Sequence, residues 1–170
     1  QGNRYRPLSL ITFAVEHELT GGLNPSVSHW INILLYALTG VLLFVVLSMM
    51  LRKVKPNAWR LAVPFLASLF FATHPIHSEA VANIKGRDEI LALLLSLVTL
   101  HQGLKYMDTK KIGWLLSACA WFFLALLSKE NSITFLAVIP LTIYFFSEHA
   151  WKFNIGLLCA LLVTTVLYLA

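Results

Sequence analysis

The chain has 170 residues, 58% hydrophobic and 12% charged, with mean hydropathy +0.75 and formal net charge +5. A soluble domain carries about 25% charged residues, so this composition excludes an ordinary soluble globule and a disordered chain. The basic residues fall in short clusters between apolar runs, which gives little support for nucleic-acid binding and points to a polytopic membrane protein whose charges report orientation.

Residues 4–20, RYRPLSLITFAVEHELT, are too short and too polar to span a bilayer. They predict a helix lying along the membrane surface, with Pro7 in its first turn, ended by Gly21-Gly22 and followed by a turn at Asn24-Pro25. An extramembrane loop is the alternative. The apolar runs then predict spans at Trp30–Leu51, Ala58–Thr73, Glu89–Leu104, Ile112–Ser128, Ser132–Ser147 with Pro140 inside, and from Ile155 onward. The expected fold is an all-α polytopic transmembrane helix bundle of about six spans plus an N-terminal interfacial helix. Residues 1–29 form an outer loop and 30–170 the transmembrane part. The chain starts at Gln1 and stops within an apolar run, so an internal piece of a longer membrane protein is expected. Cys119 and Cys159 each sit in an apolar run, which argues against a disulfide framework.

Orientation follows from the connections. Arg52, Lys53, Lys55 and Arg60 share the first, Lys105, Lys110 and Lys111 the third, and Lys152 the fifth. The positive-inside rule puts these in the cytoplasm. Six of the eight acids then lie on the other side. One face is anchored by basic charge, and the other carries mixed polar chemistry.

The strongest constellation is HPIHSE followed by KGRDE. His74, His77, Glu79, Lys85, Arg87, Asp88 and Glu89 are costly at a membrane edge unless paired, hydrated or used. A continued helix would set Glu79 near Asn83 and Arg87 one turn on, so that a carboxylate and a guanidinium share one cavity wall. An arginine fork suits an anionic oxygen, and Lys85 adds a point charge. An exposed loop with internal ion pairs is the rival reading. His74, His77 and Glu79 also offer nitrogen and oxygen to a divalent metal, although His-x-x-His is not the spacing that stacks two ligands on one helix face. No resident metal or other cofactor is therefore expected. Lys129 either snorkels to headgroups or joins a site, with Glu130 neutralising it or accepting from a sugar hydroxyl. Arg4 and Arg6 suit lipid phosphate at the membrane edge. No phosphate-binding loop, dinucleotide fingerprint or nucleophile elbow is present.

RYRPLSLITFAVEHELTGGLNPSVSHWINILLYALTG, LFFATHPIHSEAVANIKGRDEILALLLSL and LLSKENSITFLAVIPL together resemble the membrane part of transmembrane and tetratricopeptide-repeat glycosyltransferases. HPIHSEAV, Gly86-Arg87 and LLSKE are the most specific pieces. The resemblance implies the GT-C architecture and a polyprenyl- or dolichyl-phosphate sugar donor. It further implies transfer of a mannose-like sugar to a hydroxyl acceptor, a protein Ser or Thr, on the periplasmic or endoplasmic-reticulum lumenal face. It also implies a first span and catalytic acid upstream of Gln1 and a tetratricopeptide array downstream; Glu16 and Glu18 do not match that acid. Lys85 and Asp88 depart from the family's less charged pattern. On this basis Arg87 is expected to hold the donor phosphate with Lys85 or Lys129 assisting. Glu79, His74, His77 and Glu130 would position sugar or acceptor. A polytopic transporter and a non-catalytic membrane anchor of a repeat protein are the alternatives; the outer clustering of charge and the nearly charge-free span centres weigh against the transporter.

Overall fold

The computed structural model describes residues 6–22, 24–53, 59–146 and 151–170, and every regular element among them is helical. Helix α1 (Pro7–Thr20) starts at Pro7 and is stopped by Gly21, whose φ of 68° admits the left-handed cap. Helix α2 (Pro25–Met50) begins where a turn was expected. The Asn24 side chain accepts from the Ser26 and Val27 N–H groups, and Pro25 takes the first helical position. The helix therefore starts at Pro25 rather than Trp30.

Helix α3 (Trp59–Thr73) contains Pro64. A 3-10 turn at Pro75–His77 and helix α4 (Ser78–Ala82) follow at a bend of 49°. A second 3-10 turn, Ile84–Gly86, leads into α5 (Arg87–Thr109). This helix extends beyond both expected ends. Asp88 and Glu89 complement the dipole at its start, and Lys110 at φ 57° closes it. Helix α6 (Ile112–Ser128) coincides with its expected span. Residues Glu130–Thr134 form a 3-10 segment before α7 (Phe135–Phe146), which contains Pro140, and α8 (Trp151–Leu169).

Helix α5 is central. It packs chiefly against α6 and α2, with α3 outside α2 and α8 against α6 and α7. Its apolar stretch is 67% buried, against 11% for α2. Leu100, Leu104 and Met107 of α5 meet Phe122 and Leu126 of α6, Ile139 and Ile143 of α7, and Leu157 and Leu161 of α8. Gly103 admits the last of these helices: a Cβ there would stand 3.1 Å from Leu157 Cδ2. Large apolar side chains such as Leu34, Val41, Phe65, Phe70, Val166 and Leu167 remain exposed around the bundle. In water such a surface would associate; in a bilayer it is solvated by lipid.

Of the spans expected from sequence, α2 and the continuous run Ile84–Thr109 are long and apolar enough to cross a membrane. The bent pair α3 with Pro75–Ala82 makes a third candidate. Ile112–Ser128, Glu130–Phe146 and Ile155–Leu169 are apolar but shorter.

Candidate functional site: a charged cavity at one end of the bundle

The segment after α3 folds as a series of short caps. His74 is extended, as a residue before proline prefers, and its Nδ1 accepts from the Ile76 N–H at 3.2 Å. Ser78 Oγ donates to the Pro75 carbonyl at 2.6 Å. Asn83 then stops α4 with ψ 122°, and its side chain accepts from the Lys85 N–H at 3.1 Å. Gly86 closes against α4 so tightly that a Cβ would stand 2.7 Å from the Ala80 carbonyl carbon. Only glycine fits this crossing.

The break at Asn83 corrects one sequence expectation. Glu79 and Arg87 do not share a cavity wall, because the helix that would have aligned them is interrupted. Arg87 is completely buried behind the wall. Its Nη2 lies 2.7 Å from Glu16 Oε2 and donates to the Ser28 carbonyl at 3.3 Å. Its Nε donates to Asn32 Oδ1 at 3.0 Å, and the guanidinium carbon sits 4.0 Å from the Phe13 ring centroid. Asn32 in turn donates to the Asn83 carbonyl at 3.2 Å. Ser28 Oγ donates to Glu16 Oε1. Burial works to raise the Glu16 pKa, but the Ser28 hydroxyl and the Arg87 guanidinium outweigh it and hold the carboxyl below its usual range.

In front of this wall lies a cavity of about 500 Å³. Arg6, Lys85 and Lys129 line it with positive charge, and Glu79, Asp88 and Glu89 with negative charge. His77 and Asn83 complete its polar lining. Arg6 pairs with Asp88 and reaches Glu130 Oε1 at 3.4 Å, and Lys129 pairs with Glu89. Burial works to lower the Arg6 pKa, but the charge of Asp88 and the hydrogen bond and charge of Glu130 outweigh it, so the guanidinium stays charged. Among the described residues, Lys85 and Glu79 carry no ion pair. One cation and one carboxylate thus stand open to an incoming molecule.

His77, Glu79, Lys85 and Lys129 line one cavity, with Glu130 at its edge; Arg6, expected at the lipid edge, lines the same cavity. His74 lies instead in a neighbouring cleft of about 260 Å³ beside Tyr36, and His77 separates the two spaces. The His77 ring is held 4.4 Å from that of Phe71 and 5.8 Å from that of Tyr36. Arg4 lies outside the described residues. Among the described residues, no three His, Cys, Asp or Glu side chains gather as metal ligands. Sequence reasoning missed Glu16, Ser28 and Asn32. With Glu18 two residues on and His17 between them, no single-sequence signal marked Glu16 as the buried one. At the other end of the bundle Arg52 pairs with Asp108.

Fold and site together define a segment of a helical membrane protein with a charged, partly self-neutralised cavity at one end. Sequence comparison places it more closely. The chain is 39% identical over 140 residues to human protein O-mannosyl-transferase TMTC2, covering 79% of this chain and 16% of that protein. It is 34% identical over 147 residues to human protein O-mannosyl-transferase TMTC4, covering 79% and 20%. It is 34% identical over 166 residues to human protein O-mannosyl-transferase TMTC1, covering 91% and 18%. The chain is homologous to a segment of the TMTC proteins and spans at most about a fifth of the length of these relatives. No family model matches it, and no solved structure matches significantly.

Proposed function

We propose that this chain is part of the membrane domain of a glycosyltransferase of GT-C architecture with about six spans. It transfers a mannose-like sugar from a polyprenyl-phosphate donor to a protein Ser or Thr hydroxyl on the non-cytoplasmic face. The observation that carries this reading is the cavity: Arg6, Lys85 and Lys129 converge at a helix-bundle end whose flanks are apolar enough for lipid. Its homology to proteins named protein O-mannosyl-transferase supports the same reading.

Transfer from a lipid-linked phosphate requires cations where the departing phosphate gathers charge. Lys85 and Lys129 serve the departing phosphate, and Arg6 holds the oxygen already anionic in the bound donor, with Arg6 and Lys129 exchanging Asp88 and Glu89 for the ligand's oxygens. Glu79 accepts from sugar hydroxyls, and His77 packs at the rim on Phe71. Arg87 acts one layer behind, holding the wall in place. No residue of the described segment is given the general-base role.

The test is transfer by purified full-length protein from a polyprenyl-phosphate mannose to a Ser/Thr peptide. Lys85→Ala and Lys129→Ala should each lower kcat/KM about tenfold or more, the loss of one charge-assisted contact. A wild-type protein without transfer, or a Lys85→Ala/Lys129→Ala double variant with the wild-type rate, overturns the reading.

A further inference from the structure

Helix α1 is attached to the bundle in an unusual way. Its two buried residues are Ser9 and Glu16, both polar, while Leu10, Ile11, Val15 and Leu19 are exposed. Toward the bundle this helix therefore offers little apolar surface, with Leu8 and Phe13 half-buried and Phe13 packed on Arg87. Two adjacent residues at the start of α5 hold it by charge. Asp88 pairs with Arg6 at the N-cap of α1, and Arg87 pairs with Glu16 in its C-terminal half. Ten residues of helix separate the two attachment points by about 15 Å. Arg6 faces the cavity; Glu16 does not line it.

We propose that Glu16 is a positioning residue: its buried pairing with Arg87 sets the placement of α1, and α1 in turn sets Arg6 at the cavity mouth, where Arg6 receives the anionic oxygen of the donor. This inference rests on the reading of the cavity as a donor site. The geometry supports action at a distance because a helix is stiff along its axis, and because the anchored end is closed to solvent: Glu16 is 6% exposed and Arg87 0%. Ser28 and Asn32 orient the two charged groups from α2, so the clamp joins three helices. The pair at Arg6 has a different character. Arg6 is partly exposed and shares two carboxylates, Asp88 and Glu130, an arrangement from which a ligand anion can recruit it.

The experiment is a double-variant comparison in full-length protein, with polyprenyl-phosphate mannose as donor. Arg6→Ala should raise the donor KM about tenfold, the effect of losing one charge-assisted contact, with kcat within about twofold. Glu16→Gln should raise the same KM by a similar factor, and the Glu16→Gln/Arg6→Ala protein should be no worse than Arg6→Ala alone. Ser28→Ala, which removes one hydrogen bond from the clamp, should give a smaller effect in the same parameter and serves if Glu16→Gln does not accumulate.

A second readout needs no activity. In a background lacking Cys119 and Cys159, spin labels at Leu10→Cys and Leu116→Cys report the distance between α1 and α6; both sites are exposed. The unaltered clamp should give one narrow distribution, which Glu16→Gln or Ser28→Ala should broaden. Additive KM effects, a fall in kcat with KM unchanged, or an unmoved label distance overturns the proposal. A wild-type protein with no transfer activity, together with broadened distances, overturns the donor-site reading and leaves the clamp of α1 standing.

Discussion

Arg87 was expected on the cavity wall, and the structure buries it behind that wall instead. Its charge in a membrane-edge segment invites a ligand, yet its Nε and Nη2 groups are turned inward onto Asn32, Ser28 and Glu16. Burying such a pair is costly, and its worth lies in what happens when it is broken. Arg87→Ala leaves Glu16 charged and closed to water, so it should destabilise the protein by about 3–5 kcal/mol. Thermal denaturation of the purified variant, followed by retention of the monodisperse peak, checks this. Gly86→Ala forces the turn away from Ala80 and should cost about 1–3 kcal/mol, typical of overpacking, with loss of donor binding as Lys85 and Asp88 shift. A Gly86→Ala protein with unchanged melting and unchanged donor KM would contradict the crossing described.

The Glu16 carboxyl gives a pH dependence whose sign is determined. Its folded-state pKa lies below the unfolded value of about 4.3. The stabilisation is therefore complete above that value and is lost as pH falls through the folded pKa. Near neutral pH the clamp is insensitive; in acid it releases. Melting measured between about pH 7 and pH 3 should show an acid-side fall in the wild type. That fall should be shallower in Glu16→Gln, which has already lost the contribution.

At the level of elements, local chemistry was legible and long-range partnering was not. The bounds of α6 and the stop of α1 at Gly21 follow from composition and from one residue able to take positive φ. Asn24-Pro25 was misread because the same dipeptide opens a turn or caps a helix; the apolar run that follows decides for the helix. Asn83 was placed on a helix face by spacing, yet its side chain prefers to bond its own backbone and ends α4. This difference moved Arg87 from the front of the cavity to its back. The partners of Lys129 and Arg6 lie 40 and 82 residues away, beyond any periodicity in one sequence. Asn83→Ala removes the cap on the Lys85 N–H and should cost about 0.5–2 kcal/mol. Because this turn also presents Lys85, kcat/KM for the donor should fall in the same variant, by less than in Lys85→Ala. A loss larger than that of Lys85→Ala would assign Asn83 a more direct role.

The whole molecule has two chemically different ends, and α5 joins them. Its 23 residues span about 34 Å, enough for the roughly 30 Å hydrocarbon core of a bilayer. At its start lie Arg87, Asp88 and Glu89 with the cavity; past its end lie Lys110 and Lys111, with the Arg52–Asp108 pair beside its last turn. Basic residues with few acids near a span favour the cytoplasm, because translocating them works against the membrane potential and the anionic inner leaflet. The proposed function requires the cavity to open on the opposite face, where a lipid-linked sugar already across the bilayer would present its head while its tail stays in the membrane. This arrangement is testable without knowing the sugar. Lys85 and Lys111 are both exposed and sit at opposite ends of α5. In a full-length background lacking Cys119 and Cys159, Lys85→Cys should react with a membrane-impermeant maleimide only from the non-cytoplasmic side, and Lys111→Cys only after the cytoplasmic side is opened. The reverse pattern would place the charged cavity in the cytosol. It would replace a lipid-carried donor with a soluble activated sugar, and the roles given to Lys85, Lys129 and Arg6 would have to be rebuilt around a different phosphate.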